Sequence, residues 1–364
     1  MTSEIRPLTG IRGIAALWVM VLHFSIFIPT LHIFPGAGKL PAVNKGYLAV
    51  DLFFVLSGFV LGMTSATRIA ADPVRTFGAF LTARVFRLFP LHWFVLILYV
   101  AFALFTDQVG TRYYLPINLI LTTGLMQIYR PFVENGWNPP TWSIAAELVA
   151  YCLFPLIAIA AISIRRPILV GAAMTCALAA LVIAILLTGS HTLDHIQRLG
   201  VARGLSEFTL GVLLWRFHTL GRTTGRGEDW LLGAGALLLM LVVSMPIIEL
   251  AAPIAFCCLI FACARPGPVT NALLGNRLVH FLGMISFSIY LDHFLVLVAF
   301  DRLAIWLGLA KYPEPVRIGW LALQLVTILI AACVTWRWIE APGQQLGRRF
   351  RARLNRESVT VLAT

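Results

Sequence analysis

The sequence predicts an all-α polytopic membrane protein: about ten transmembrane helices, one short re-entrant or interfacial helix, and both termini cytoplasmic. Three observations carry that prediction. Of 364 residues, 59% are hydrophobic and only 12% are charged, about half the charge of an ordinary soluble domain. Mean hydropathy is +0.87. The apolar residues also gather into runs near the length, about 20 residues, that an α-helix needs to cross a bilayer.

Eleven runs follow one another. The first, 12–30, lies behind MTSEIRPLTG. No small-residue cleavage site follows a short apolar core, so this run reads as a retained anchor and not a signal peptide. The second, 48–66, carries Gly58 and Gly62 at the small-xxx-small spacing that lets helices approach closely. The third, 88–106, opens after Arg84 and Arg87. The fourth, 116–128, is too short to cross. Pro139 and Pro140 then stop any helix, and Thr141 can cap a fifth run at 142–163. Runs at 167–188 and 199–217 follow. The pair 230–246 and 248–264 is short, with a tight turn at Pro246 and Glu249. Runs at 279–300 and 317–336 complete the set.

Orientation comes from Lys and Arg, which accumulate in cytoplasmic loops. If all eleven runs crossed, Arg165, Arg166, Arg216, Arg222 and Arg226 would lie outside. If 116–128 does not cross, 19 of the 28 basic residues become cytoplasmic, and only Lys39, Lys45, Arg112, Arg130, Arg302, Lys311 and Arg317 fall clearly outside. The second scheme is preferred. It gives ten crossings, an outer loop region at 107–141, one membrane domain over 1–340, and a basic cytoplasmic tail, 341–364.

The net charge of +12 does not point to nucleic acid, because the basic residues sit in short loops and form no continuous stripe. Cys152, Cys176, Cys257, Cys258, Cys263 and Cys333 all fall in apolar runs without CxxC spacing. They read as small buried hydrophobes, and no metal site is expected.

Several ionisable residues interrupt the apolar runs, and such residues are costly in a bilayer and tend to mark reactive sites. Arg12 and His23 lie eleven residues apart in the first run, about 16 Å along one face of a helix. A lone intramembrane histidine is more often a hydrogen-bonded core residue, but histidine is also the side chain best suited to proton transfer near neutral pH. Arg84 and Arg87, at i and i+3, share a face. They read either as charge touching lipid phosphates or as a two-pronged phosphate clamp. In NGWNPPTWSIAAELVAY, Trp142 suits the interface, and Ser143 and Glu147 share a face with the carboxyl about 7 Å below the far surface. Arg203 and Glu207, at i and i+4, read as an intrahelical ion pair. Asp51 lies near the far side. Ser288, Tyr290, Asp292 and His293 fall near mid-membrane, with Tyr290 and His293 on one face and Asp292 about 100° away without an assigned partner.

Taken together, these stretches resemble the acyltransferase-3 family of integral membrane acyltransferases over nearly the whole chain. The resemblance is carried by Arg12 and His23 in RPLTGIRGIAALWVMVLHF, DLFFVLSGF, Arg84 and Arg87 as RxxR, WSIAAE, SIYLDH and WRWIEAPG, in that order. Asp292 departs from the apolar or aromatic residue usual there. The resemblance implies transfer of an acyl group, usually acetyl, from cytoplasmic acyl-CoA to a hydroxyl of a glycan, lipid-linked glycan or similar acceptor, at a bacterial inner membrane. It implies Arg12, Arg84 and Arg87 at the CoA phosphates and His23 as base or transient acyl carrier. Glu147 would act beside it, with Trp142, Ser143, Asp51, Tyr290 and His293 on the acceptor side or in support. Acyl-CoA would be a co-substrate, with no permanently bound cofactor. Membrane lipids are the surrounding partners, and a homo-oligomer stays open.

The rival reading is a secondary transporter of a glycan precursor or metabolite. It predicts two related halves with broken helices at a midplane site, and the short run 116–128 has no counterpart in the second half. Accessibility tags at positions 110 and 220 are expected on opposite sides of the membrane; tags on the same side overturn the topology.

Overall fold

The computed structural model describes residues 4–27, 40–129, 136–189, 191–194, 196–221 and 228–360. Positions 28–30 of the first predicted run, Lys39, Arg130, Arg222, Arg226 and residues 361–364 lie outside that set. Among the described residues all regular structure is helical.

In chain order the helices are α1 (Arg6–Phe27), α2 (Pro41–Asn44), α3 (Leu48–Leu61), α4 (Thr67–Ala71), α5 (Pro73–Phe105), α6 (Pro116–Thr123), α7 (Trp142–Ser163), α8 (Pro167–Leu186), α9 (Ile196–Leu220), α10 (Asp229–Ser244), α11 (Ala252–Ala264), α12 (Pro268–Leu274), α13 (Arg277–Met284), α14 (Ser286–Leu307), α15 (Glu314–Thr335) and α16 (Ala341–Thr360). Proline at the first position starts α5, α6, α8 and α12, where its missing N–H costs nothing. Among the described residues, by length and hydropathy, six helical stretches can cross a membrane, and eight if each of two bent pairs counts as one span. The bent pairs are Ile248–Ala264 with Pro268–Leu274, at 103°, and Arg277–Met284 with Ser286–Leu307, at 66°. The protein is therefore a multi-pass membrane protein.

Four predicted elements change. The third run does not begin at 88: α5 starts at Pro73, because Asp72 accepts from the Arg75 backbone N–H at 3.1 Å and caps the helix there. Arg84 and Arg87 therefore sit three to four turns inside a helix and not at its end. Run 279–300 is broken at Ile285, so Ser288, Tyr290, Asp292 and His293 lie in the first turns of α14. The short run 116–128 yields only the eight-residue α6, about 12 Å long. It is pinned to α5 by His92 Nε2 at 2.8 Å from the Thr122 carbonyl and by Trp93 Nε1 donating to the Thr123 carbonyl at 3.0 Å. Thr141 does not cap α7; its hydroxyl donates to the Asn138 carbonyl at 2.8 Å.

The stretch 341–360 is helical and joins α15 through a π-helical turn, Trp336–Glu340. It packs antiparallel to α5, with Phe350 stacked on Phe86 at 5.3 Å.

The centre of the bundle is the seam between α3 and α9. A Cβ added at Gly58 would strike the Phe208 carbonyl, and one at Gly211 would strike the Val55 carbonyl. Each glycine lies under the other helix's backbone, as small-residue packing requires. The same seam holds Arg203 and Asp51, both fully buried, in a two-pronged ion pair: Nε to Oδ1 and Nη2 to Oδ2, each 2.5 Å. The expected Arg203–Glu207 pair is looser, at 3.9 Å.

Helix ends that were predicted on one side meet one another. Buried Glu249 accepts from Tyr47 OH at 2.8 Å and from the Leu193 N–H at 2.6 Å, and it pairs with Lys45. Ahead of the first span, a hydrogen bond from His280 holds the Glu4 carboxyl below its ordinary range.

Gly211→Leu is expected to destabilise the protein by about 2 kcal/mol or more, from overpacking against α3. A lowered thermal midpoint in detergent checks this, and an unchanged midpoint contradicts the seam.

Candidate active site

Five helices bring polar side chains to one cavity of about 100 Å³. Arg12 comes from α1 and Ser57 from α3. Arg84 and Arg87 come from α5, Ser143, Glu147 and Tyr151 from α7, and Ser286 and Tyr290 from α14. The remaining wall is apolar, with Phe53, Phe54 and Phe287 prominent.

The sequence placed Arg84 and Arg87 at a cytoplasmic mouth and Glu147 near the opposite surface. They line the same cavity instead, since α5 already runs as helix through both arginines and packs them beside α7. Among the described residues, none of the three guanidinium groups has a carboxylate within 4 Å. Arg84 lies over the rings of Phe80 and Tyr151, at 5.8 and 6.0 Å, with its Nε buried and unpartnered. Glu340, buried in the turn before α16, is near enough to Arg12 and Arg87 to offset part of their charge. Three positive groups thus face two carboxylates, Glu147 and Glu340. A cavity of this kind suits a polyanion, since guanidinium binds phosphate oxygens two at a time.

Glu147 is held asymmetrically. Ser57 Oγ and Tyr151 OH both donate to its Oε1, each at 2.5 Å. Oε2 has no partner among the described residues and is free to accept from a ligand. Beside it, Ser143 Oγ and Tyr290 OH are 2.7 Å apart, and Tyr290 donates to the Pro140 carbonyl at 2.9 Å. This ties the start of α7 to α14.

His23 does not line the cavity. Its ring turns toward α14, where Nδ1 lies 2.9 Å from Nε2 of fully buried His293. Tyr290 connects the two regions: it lines the cavity, and its ring centroid is 6.1 Å from that of His293. Phe294 stands edge-on to His23 at 5.1 Å and Phe27 edge-on to Phe294 at 5.8 Å, closing the other side.

Two expected residues sit elsewhere. Both Asp51 oxygens are taken by Arg203. Trp142 lies under the Arg203 guanidinium at 5.7 Å and reaches the cavity only through Phe54, at 6.1 Å. Asp292, unpartnered in the sequence reading, accepts from Thr335 Oγ1 at 2.6 Å.

Four residues of the site escaped the sequence reading, the first being Ser286, at the start of α14 just past the unannounced break at Ile285. Tyr151 follows Glu147 by one helical turn, a spacing that could have found it. Ser57 falls inside DLFFVLSGF, where a small residue reads as packing. Glu340 falls inside WRWIEAPG, but nothing local announces its bond from Ser288 Oγ at 2.8 Å.

A family model described as an acyltransferase domain matches residues 6–336. The chain belongs to the acyltransferase-3 family. It is 29% identical to the acyltransferase MdmB of Streptomyces mycarofaciens over 375 aligned positions, covering 94% of this chain and 92% of that one. It is 35% identical to "Protein 2 in picA locus" of Rhizobium radiobacter over 164 residues, 40% of this chain and 78% of that protein. No solved structure matches it. The protein is an acyltransferase, and the cavity is its candidate active site.

Proposed function

We propose that this acyltransferase moves an acyl group, most simply acetyl, from cytoplasmic acyl-CoA to a hydroxyl of a glycan or lipid-linked glycan at the bacterial inner membrane. The observation that carries the reading is the cluster of Arg12, Arg84 and Arg87 around one cavity, three guanidinium groups without a carboxylate within ion-pair distance among the described residues. CoA is highly anionic and cannot enter hydrocarbon, so its phosphates stay among these arginines. Its narrow pantetheine arm runs along the Phe287–Tyr290 stripe of α14 and covers the rise of about 16 Å from Arg12 to His23. This fits ten crossings, with α9 and α10 added to the eight and both termini cytoplasmic.

In the proposed step the acceptor hydroxyl oxygen attacks the thioester carbonyl while His23 takes its proton. The tetrahedral oxyanion collapses, the C–S bond breaks, and His23 returns the proton to the leaving thiolate. An ester and free CoA result. A positioned base contributes about 10²–10⁴ in rate. Glu147 Oε2 accepts a hydrogen bond from the acceptor and orients it.

Inverted vesicles given radiolabelled acetyl-CoA read the transfer into the endogenous acceptor. His23→Ala is expected to abolish incorporation with unchanged membrane abundance, and wild-type incorporation removes the base. Arg84→Ala with Arg87→Ala is expected to raise KM for acetyl-CoA about 10²-fold; an unchanged KM contradicts the phosphate site.

A further inference from the structure

A neutral imidazole has one N–H and one lone pair, and the hydrogen bond made by one nitrogen decides which role the other plays. His293 makes that decision visible. Its Nδ1 lies 3.0 Å from the carbonyl oxygen of Ile289, one turn back on α14. A carbonyl can only accept, so Nδ1 carries the hydrogen. In the neutral ring, Nε2 of His293 then holds a lone pair. That lone pair faces Nδ1 of His23 at 2.9 Å. A contact between two nitrogens at this distance needs one hydrogen, and only His23 can supply it. His23 Nδ1 therefore donates, and His23 Nε2 is left with the free lone pair.

The rings are held in this arrangement. The two imidazoles are 5.0 Å apart with a 35° tilt, and Phe294 stands edge-on to His23. The neighbouring carboxylate does not take part, because Asp292 is turned to Thr335 on α15.

We propose that His293 is a positioning residue for acyl transfer. It holds the His23 hydrogen on Nδ1, so that Nε2 is the nitrogen that takes the acceptor's proton. This rests on His23 as the base. When His23 takes that proton it becomes an imidazolium with hydrogens on both nitrogens. Nδ1–H still donates to His293 Nε2, so the contact serves both protonation states without rearrangement. An imidazole here does the orienting work that a carboxylate does in other histidine-based sites.

Two substitutions separate this role from simple packing. In His293→Gln, the side-chain oxygen can accept from His23 Nδ1 near where Nε2 did. In His293→Leu, the volume is largely kept but the side-chain acceptor is gone, and the His23 ring keeps only the Val19 backbone carbonyl one turn back on α1. In inverted vesicles with radiolabelled acetyl-CoA, His293→Gln is expected to keep kcat within about 10-fold of wild type. His293→Leu is expected to lose about 10²-fold or more in kcat, with KM for acetyl-CoA unchanged. Equal activity in the two variants at equal abundance and thermal midpoint overturns the proposal. If His293→Leu does not fold, His293→Gln decides alone, and a folded but inactive Gln variant overturns it. The failure of the base reading looks different: then His23→Ala itself transfers acetyl. An inactive His23→Ala beside a fully active His293→Leu removes the positioning role and leaves the base in place.

Discussion

A guanidinium group inside a bilayer is stable only with a partner, and this chain treats its buried arginines in two ways. Arg203 is closed off. Asp51 takes it with two short bonds, Trp142 covers its face, and the Leu193 carbonyl accepts from Nη1 at 2.6 Å. It fastens α9 to α3 and has nothing left to offer a ligand. Arg12, Arg84 and Arg87 are left incomplete around a cavity. The same side chain thus serves as fastener in one place and as receptor in another, and the location of the carboxylates makes the difference.

The fastened seam matters to the open site because α3 belongs to both. Asp51 and Gly58 hold one face of α3 against α9, while Ser57, Phe53 and Phe54 present the rest to the cavity. Glu147 depends on that placement, since Ser57 reaches it from α3 and Tyr151 from its own helix. Both donors go to one oxygen, which leaves the carboxylate with one engaged side and one available side.

Fold class was legible because hydropathy and the distribution of arginine are properties of short windows. WSIAAE, RxxR and the Arg12–His23 spacing were legible for the same reason, since each sits on one helix. The rest depended on contacts between distant segments. The Ile285 break in α14 had no proline to announce it. The extra turns of α5 are too polar to read as membrane, and they are helical because Asp72 caps them and α16 covers them. Asp51 looked like an acceptor-side residue because its partner lies 152 positions away. The His23–His293 contact spans 270 positions, so no local pattern could select a tautomer.

The π-helical turn at Trp336–Glu340 has a consequence for the winding of the last helix. A π turn holds one residue more than an α turn, and one residue corresponds to about 100° of rotation. That surplus residue sets the phase of α16, and with it the alignment of Gly343 and Gly347 on Pro90 and Phe86. It also sets the inward aim of Glu340. Removing one position from this turn would rewind the helix as a continuous α rod, swing its glycine edge off α5, and carry the counter-charge away from Arg12 and Arg87 in the same motion.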